Sequence, residues 1–162
     1  MHTIPPKRLV YLSSILHQDG DPSLKDLTWA DRPWLGRQAY CDTKLHDVLL
    51  AFAIARRWPS VLSNALEPGW VATKMGGSGA TDELDQAHRT QVWLAVSDDP
   101  AASVSGEYFY HMEKRDPLCA ISDWIRSARR LRFSFTGFHV EVGGVGEHHE
   151  PFFKERRTRG SV

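Results

Sequence analysis

The stretch RLVYLSS, residues 8–14, decides the fold class of this chain. It follows Pro5-Pro6 and consists of apolar and β-forming residues, which predicts a short buried strand that ends at Ser14. From Tyr40 the pattern changes, because apolar residues then recur at helical spacing until Pro59. This change of period predicts a helix directly after an irregular, Asp- and Trp-rich segment over residues 18–37.

The alternation of predicted strands and helices continues along the chain. A second strand is predicted over residues 61–66, and a third over residues 107–110. Between them, Thr81 can cap a helix that continues to Asp98-Asp99-Pro100 and whose first turn is acidic, with Asp82 in it. Strands that alternate with helices predict an α/β fold with a doubly wound parallel sheet.

Composition excludes several classes of protein. The chain has 162 residues, 41% hydrophobic and 25% charged, which is typical of a soluble globular protein. No apolar run reaches membrane-spanning length, and no secretion signal is visible. A formal net charge of +0 argues against a nucleic-acid binder. Two cysteines, Cys41 and Cys119, make neither a disulfide framework nor a zinc set, and this favours a cytoplasmic location.

Tyr40 and Lys44 are the first candidates for chemistry. A spacing of four residues puts both side chains on one face of the predicted helix. A neighbouring ammonium favours the phenolate of a tyrosine, which makes that tyrosine usable as a general acid or base near neutral pH. Ser14 ends the first strand, where ligands bind in open α/β sheets, so its hydroxyl can share a substrate oxygen with Tyr40. Taken alone, the pair is also typical of the surface of an amphipathic helix.

Residues 7–112 resemble the short-chain dehydrogenase/reductase family. The resemblance rests on the strand that ends Ser13-Ser14, on Tyr40-x-x-x-Lys44 and on the segment PGWVAT over residues 68–73. It implies that Ser14, Tyr40 and Lys44 are the catalytic residues. The long excursion between Ser14 and Tyr40 is similar to the retinol-dehydrogenase-like branch.

The resemblance also implies a cofactor and a reaction. Tyr40 and Lys44 would contact NAD or NADP, together with the turn that contains Pro68, Gly69, Val71 and Thr73. The reaction implied is hydride transfer between that cofactor and a small-molecule alcohol/carbonyl pair. The implied fold is a Rossmann-like domain.

The first half of such a domain has no counterpart in this sequence. A strand, a glycine-rich turn and a helix normally hold the pyrophosphate, and the serine strand here comes almost first. We therefore expect a partial Rossmann-like sheet that lacks the N-terminal dinucleotide-binding half, truncated and weak or inactive alone. Exposure of the strand at residues 9–14 and of the apolar face of the helix at residues 40–57 would favour self-association or pairing with another chain. The alternative is a non-enzymatic remnant that acts as an interaction or oligomerisation module.

The last part of the chain departs from the family pattern. Residues 1–116 are assigned to the dehydrogenase-like unit and residues 117–162 to a divergent, basic and glycine-rich tail. A helix is predicted over residues 118–131. The tail also carries residues of the types that bind metal ions. Their spacing matches no metal-binding motif, so no metal is expected. These residues are His139, Glu141, His148, His149 and Glu150.

Overall fold

The computed structural model describes residues 6–117, 131–135 and 138–142. The strands are β1 (Lys7–Leu12), β2 (Val61–Glu67), β3 (Tyr108–Tyr110), β4 (Glu113–Arg115), β5 (Leu131–Phe135) and β6 (Phe138–Val142). The α-helices are α1 (Gly36–Arg57) and α2 (Arg89–Val96), and short 3₁₀ helices cover Ile15–Asp19 and Leu84–Gln86.

Four strands form one sheet in the order β1-β2-β3-β4. β1, β2 and β3 run parallel, so the three strands predicted from the sequence are confirmed. β4 was not predicted, and it pairs antiparallel with β3. β5 and β6 form a separate antiparallel pair.

Both faces of the sheet are covered, as the doubly wound prediction requires. Alternate residues of neighbouring strands point to opposite faces, so Ala65 and Tyr108 pack against α1, while Leu66 and Phe109 pack against α2. The α1 side supplies most of the core: Leu45, Val48, Leu49, Ala51 and Phe52. The α/β fold class is therefore confirmed.

Within the described residues, β1 pairs with β2 alone and is therefore one open edge of the sheet. Leu9 is 36% exposed and Leu12 is 46% exposed. The predicted exposure of residues 9–14 is confirmed at Leu9 and Leu12 but not at Ser13, which is buried. The predicted exposure of the apolar face of α1 is wrong, because β2 and β3 already bury it.

Both helices differ in extent from the sequence prediction. α1 begins at Gly36, four residues before Tyr40, so Tyr40 lies in its second turn. The helix predicted between Thr81 and Asp98 is divided into the 3₁₀ turn at Leu84–Gln86 and α2. Asp82 therefore does not lie in a helix. Its carboxylate accepts hydrogen bonds from the Trp70 N–H and the Tyr110 hydroxyl.

Several predictions fall outside the described residues. These are residues 118–130 of the predicted helix and the possible ligands at 148–150. Leu131, predicted to end that helix, begins β5 instead. The domain boundary near Pro117 stays a prediction. Over the described ranges, no helix is long and apolar enough to cross a membrane.

Candidate functional site

The parallel strands bring the predicted site residues to one edge of the sheet. Ser13 and Ser14 follow the end of β1, and Pro68 follows the end of β2. The N–H of Ser13 donates to the Leu66 carbonyl at 2.7 Å and so continues the pairing one residue past β1. These residues thus share the carboxyl edge, where α/β sheets bind ligands.

Lys44 connects the start of α1 to this edge. Its amine donates to the Leu12 carbonyl at 2.6 Å and pairs with Asp47 at 3.0 Å. The same nitrogen lies 5.8 Å from the centroid of the Tyr40 ring. The predicted pairing of Tyr40 with Lys44 on one helix face is therefore present in the structure. Both side chains are partly accessible to solvent.

Ser14 caps the short 3₁₀ helix that follows β1. Its side-chain oxygen accepts the Leu16 N–H at 3.3 Å, and its carbonyl accepts the Nδ1–H of His17 at 2.7 Å. Because the hydroxyl acts as an acceptor in this cap, its own proton remains available to a ligand. Within residues 6–117, no hydrogen bond joins Ser14 directly to Tyr40.

Ser13 makes the contact that sequence reasoning did not foresee. Its hydroxyl donates to the Lys44 carbonyl at 2.7 Å, and the residue is only 2% exposed. The bond ties the strand that leads to Ser14 to the helix that bears Tyr40. Two serines in succession at a strand end were visible in the sequence, but which one would face α1 was not.

A carboxylate shapes the turn at Pro68–Thr73. Asp82 accepts the Trp70 N–H at 2.7 Å, and its own N–H donates to the Trp70 carbonyl at 2.8 Å. Gly69 has a φ of +88°, and a Cβ there would lie 2.8 Å from Asp82 Cγ. A glycine is therefore required at this position for both backbone conformation and space.

The remainder of the turn is closed by local bonds. The Thr73 hydroxyl accepts the Gly76 N–H at 3.1 Å, and the Trp70 indole donates to the Gly76 carbonyl at 2.9 Å. The glycine-rich loop after Gly76 does not lead directly into an α-helix, so it is not a phosphate-binding turn of the strand–turn–helix kind. Thr73 is exposed and Val71 is half-buried at this edge.

Asp82 also joins the turn to β3. It accepts the Tyr110 hydroxyl at 2.7 Å, and that bond is the main reason why the pKa of Asp82 is lowered. The same bond, together with burial, raises the pKa of Tyr110 to about 12. His111 stacks on the Tyr110 ring at 3.8 Å between centroids. Neither Asp82 nor Tyr110 was predicted as a site residue, because only the tertiary fold brings them together.

Two buried titratable groups lie beside the serines. Glu67, 6% exposed, ends β2 just before Pro68, and burial raises its pKa. His17 is fully buried, and burial lowers its pKa although carbonyls of Ser14 and Pro117 act in the opposite direction. A carboxylate at the end of a predicted strand, directly before Pro68-Gly69, was a usable signal for Glu67. Over the described part of the chain, no group of three metal-ligating side chains is present.

Comparison with known proteins identifies the relatives of this chain. It is 45% identical over 107 residues to Short-chain dehydrogenase chyC of Penicillium rubens, an overlap that covers 64% of this chain and 41% of that protein. The chain is a relative of the short-chain dehydrogenases. Retinol dehydrogenase 13 of Homo sapiens is 30% identical over 151 residues, which cover 76% of this chain and 45% of the human protein. The predicted family resemblance is thus confirmed.

The chain spans less than half the length of either of these two relatives. No protein-family model matches it. Among solved structures, Carbonyl reductase Sniffer of D. melanogaster aligns with a TM-score of 0.45 and 20% identity over 67% of this chain and 42% of that one. The observed sheet, with helices on both faces, agrees with the partial Rossmann-like fold that the motifs imply.

Proposed function

We propose that this chain carries the proton-exchanging part of an NAD(P)-dependent short-chain dehydrogenase that interconverts an alcohol and a carbonyl compound. The observation that carries the proposal is the position of the Lys44 amine. It lies 5.8 Å from the Tyr40 ring centroid and binds the backbone of the strand that leads to Ser14. A phenol, an ammonium group and a hydroxyl at the ligand-binding edge of a sheet can handle the proton of a hydroxyl group.

Each residue then has one role in carbonyl reduction. The Tyr40 O–H donates its proton to the carbonyl oxygen of the substrate, and the Ser14 hydroxyl donates a hydrogen bond to the same oxygen. The Lys44 ammonium stabilises the phenolate left on Tyr40. NAD or NADP supplies or accepts the hydride when bound. In alcohol oxidation the proton returns to Tyr40.

The described residues suit one end of this cofactor. The Pro68–Thr73 turn follows β2 at the same sheet edge as Ser14, and it carries an exposed hydroxyl residue, Thr73, which suits the nicotinamide end. The phosphate end lacks a comparable site among residues 6–117. α1 follows Leu35, which makes no side-chain cap, rather than a glycine-rich turn. We therefore expect the isolated chain to bind the cofactor weakly and to be weak or inactive as a catalyst.

Two measurements test this proposal. Titration with NADH and NADPH, followed by fluorescence, should show no submillimolar binding, and tighter binding would contradict the expected lack of a phosphate site. Any carbonyl reduction should fall at least ~100-fold in Tyr40→Phe, because general acid catalysis typically contributes that much. Tyr11→Phe removes a phenol hydroxyl from β1 and serves as the control. Reduction that is unchanged in Tyr40→Phe would refute the catalytic assignment.

A second candidate function is that of an interaction module. The open edge of β1, with Leu9 and Leu12 exposed, favours pairing with a second copy of the chain, because unpaired strand edges add strands. Sedimentation should then depend on concentration, and Leu9→Lys should weaken the association. A monomer that melts sharply at a temperature independent of concentration would contradict this candidate.

Two further parts of the proposal rest on composition. A cytoplasmic location is supported by the cysteine content, since Cys41 is a free, buried thiol. The unit proposed to carry the chemistry is residues 1–116, and residues 117–162 are proposed to be a divergent tail, because their composition is more basic.

A further inference from the structure

Two buried serines tie the sheet to α1 in the same way. Ser13 donates its hydroxyl proton to the Lys44 carbonyl at 2.7 Å, and Ser63 of β2 donates to the Ala51 carbonyl at 2.8 Å. Ser13 is 2% exposed and Ser63 is fully buried. The two acceptor carbonyls lie seven residues apart on one helix, roughly 10 Å along its axis. Only the Ser13 bond reaches the turn that bears Tyr40 and Lys44.

The protons around Ser13 can be assigned from the partners present. His17 Nδ1 lies 2.7 Å from the Ser14 carbonyl, which accepts only, so Nδ1 carries a proton and donates it there. This nitrogen therefore cannot accept the Tyr108 hydroxyl, which lies 3.4 Å away. The Lys44 carbonyl also only accepts, so the Ser13 hydroxyl is the donor in the bond between them.

Lys44 is consequently held at both of its ends by adjacent residues of the β1 terminus. Its carbonyl accepts from Ser13, and its amine donates to the Leu12 carbonyl at 2.6 Å. A lysine side chain has considerable rotamer freedom. Because the Lys44 backbone is held close to the Leu12 carbonyl that binds its amine, the amine can reach fewer positions. The Ser13 bond thus fixes where the ammonium lies relative to the Tyr40 ring.

We propose that Ser13 is a positioning residue: its hydroxyl holds the Lys44 turn of α1 so that the Lys44 amine stays at the Tyr40 ring. The catalytic meaning of this position rests on the proposed function, but the positioning itself does not. The competing interpretation is an ordinary strand–helix hydrogen bond that stabilises the fold and nothing else. Ser63 is the matched control, since its bond to α1 has the same chemistry, burial and length.

The experiment measures the accessibility of the Lys44 amine in the full chain. Each variant is acylated with a limiting amine-reactive ester, and mass spectrometry compares the labelling rate of Lys44 with that of the exposed Lys114. Ser13→Ala should raise the relative rate about fivefold, the change expected from loss of one net hydrogen bond. Ser13→Cys keeps only a weak donor at this position and should raise the rate by less. Ser63→Ala should leave it unchanged, although all three variants lower the melting temperature.

Each result decides the question. Equal labelling of Lys44 in Ser13→Ala and Ser63→Ala would overturn the proposal, as would an unchanged rate in Ser13→Cys if Ser13→Ala does not fold. The NADH titration on the same samples separates the two proposals. Faster Lys44 labelling in Ser13→Ala without any nucleotide binding or turnover by the wild type would support the positioning role and count against the proposed function.

Discussion

The amine nitrogen of Lys44 lies 5.8 Å from the centroid of the Tyr40 ring, and it reaches that position while bound to the Leu12 carbonyl. The Lys44 side chain therefore connects α1 to the end of β1, in addition to lying near Tyr40 on the same helix. The Lys44 side chain is 19% exposed, so its bonds are partly shielded from water. A residue in this position contributes to the fold as well as to the proposed chemistry.

Lys44→Met keeps the length of the side chain and removes its ammonium. We expect the free energy of unfolding to fall by about 2 kcal/mol, because hydrogen bonds made by charged groups contribute roughly that much. Denaturation in urea measures it. Lys114→Met is the control, since Lys114 is 54% exposed in its pair with Glu107 and should change stability by less than about 1 kcal/mol. Equal effects of the two substitutions would contradict a structural role for Lys44.

Gly69→Ala tests the turn proposed to face the nicotinamide. Gly69 and Gly77 both have positive φ, +88° and +73°, but a Cβ at Gly69 meets Asp82, while a Cβ at Gly77 meets nothing within 4 Å. Gly77→Ala should cost about 1–2 kcal/mol for the backbone conformation alone. Gly69→Ala should cost clearly more, because Asp82 must also move. Similar melting temperatures for the two variants would show that Asp82 does not pack tightly on this turn.

Asp82→Asn tests the link between this turn and β3. The Asp82 carboxylate raises the pKa of Tyr110 to about 12. An amide in its place carries no charge, so the pKa of Tyr110 should fall towards 10, the ordinary value for a tyrosine. NMR of ring-labelled tyrosine follows the titration, and Tyr110→Phe assigns the signal. Asp85→Asn, in the nearby 3₁₀ turn, should leave the Tyr110 titration where it is. A Tyr110 pKa that Asp82→Asn does not alter would exclude the bond.

Glu67→Gln should stabilise the protein near neutral pH. Burial raises the pKa of Glu67 above 4.5, with the Arg115 charge and the Ile15 N–H opposing that rise and Asp82 adding to it. A carboxyl group whose pKa is higher in the folded state contributes stability below about 4.5 and loses it as pH rises through the folded pKa. The melting temperature of Glu67→Gln should therefore exceed that of the wild type at pH 7, and the difference should shrink towards pH 4.5.

The exposed Glu83 offers the matching control for that experiment, because Glu83→Gln removes a carboxylate that is not buried. It should leave the pH dependence of melting unchanged. If Glu67→Gln instead lowers the melting temperature at pH 7, the Glu67 carboxylate is required in its charged form, and its surroundings stabilise that form.

The local pattern of apolar and polar residues was sufficient to predict the main strands and helices. Strong apolar periodicity predicted β1, α1 and β2, since the residues that such a pattern places on one face are those that the sheet buries. β4 was missed because Glu113–Arg115 is charged and exposed throughout. It is a strand only because His111 and Met112, at φ +48° and +64°, turn the chain back along β3. A tight turn of this kind is usually signalled by Asn-Gly, and neither residue is present here.

The sequence by itself determined the residue types and the order of the proton-handling set, Ser14, Tyr40 and Lys44, because spacing along a strand and a helix is a local property. Only the tertiary structure decided what holds that set in place. Ser13 meets Lys44 across 31 positions, Tyr108 meets His17 across 91, and Tyr110 meets Asp82 across 28. Contacts between residues so far apart depend on how strands and helices pack, and no short window of sequence contains that information.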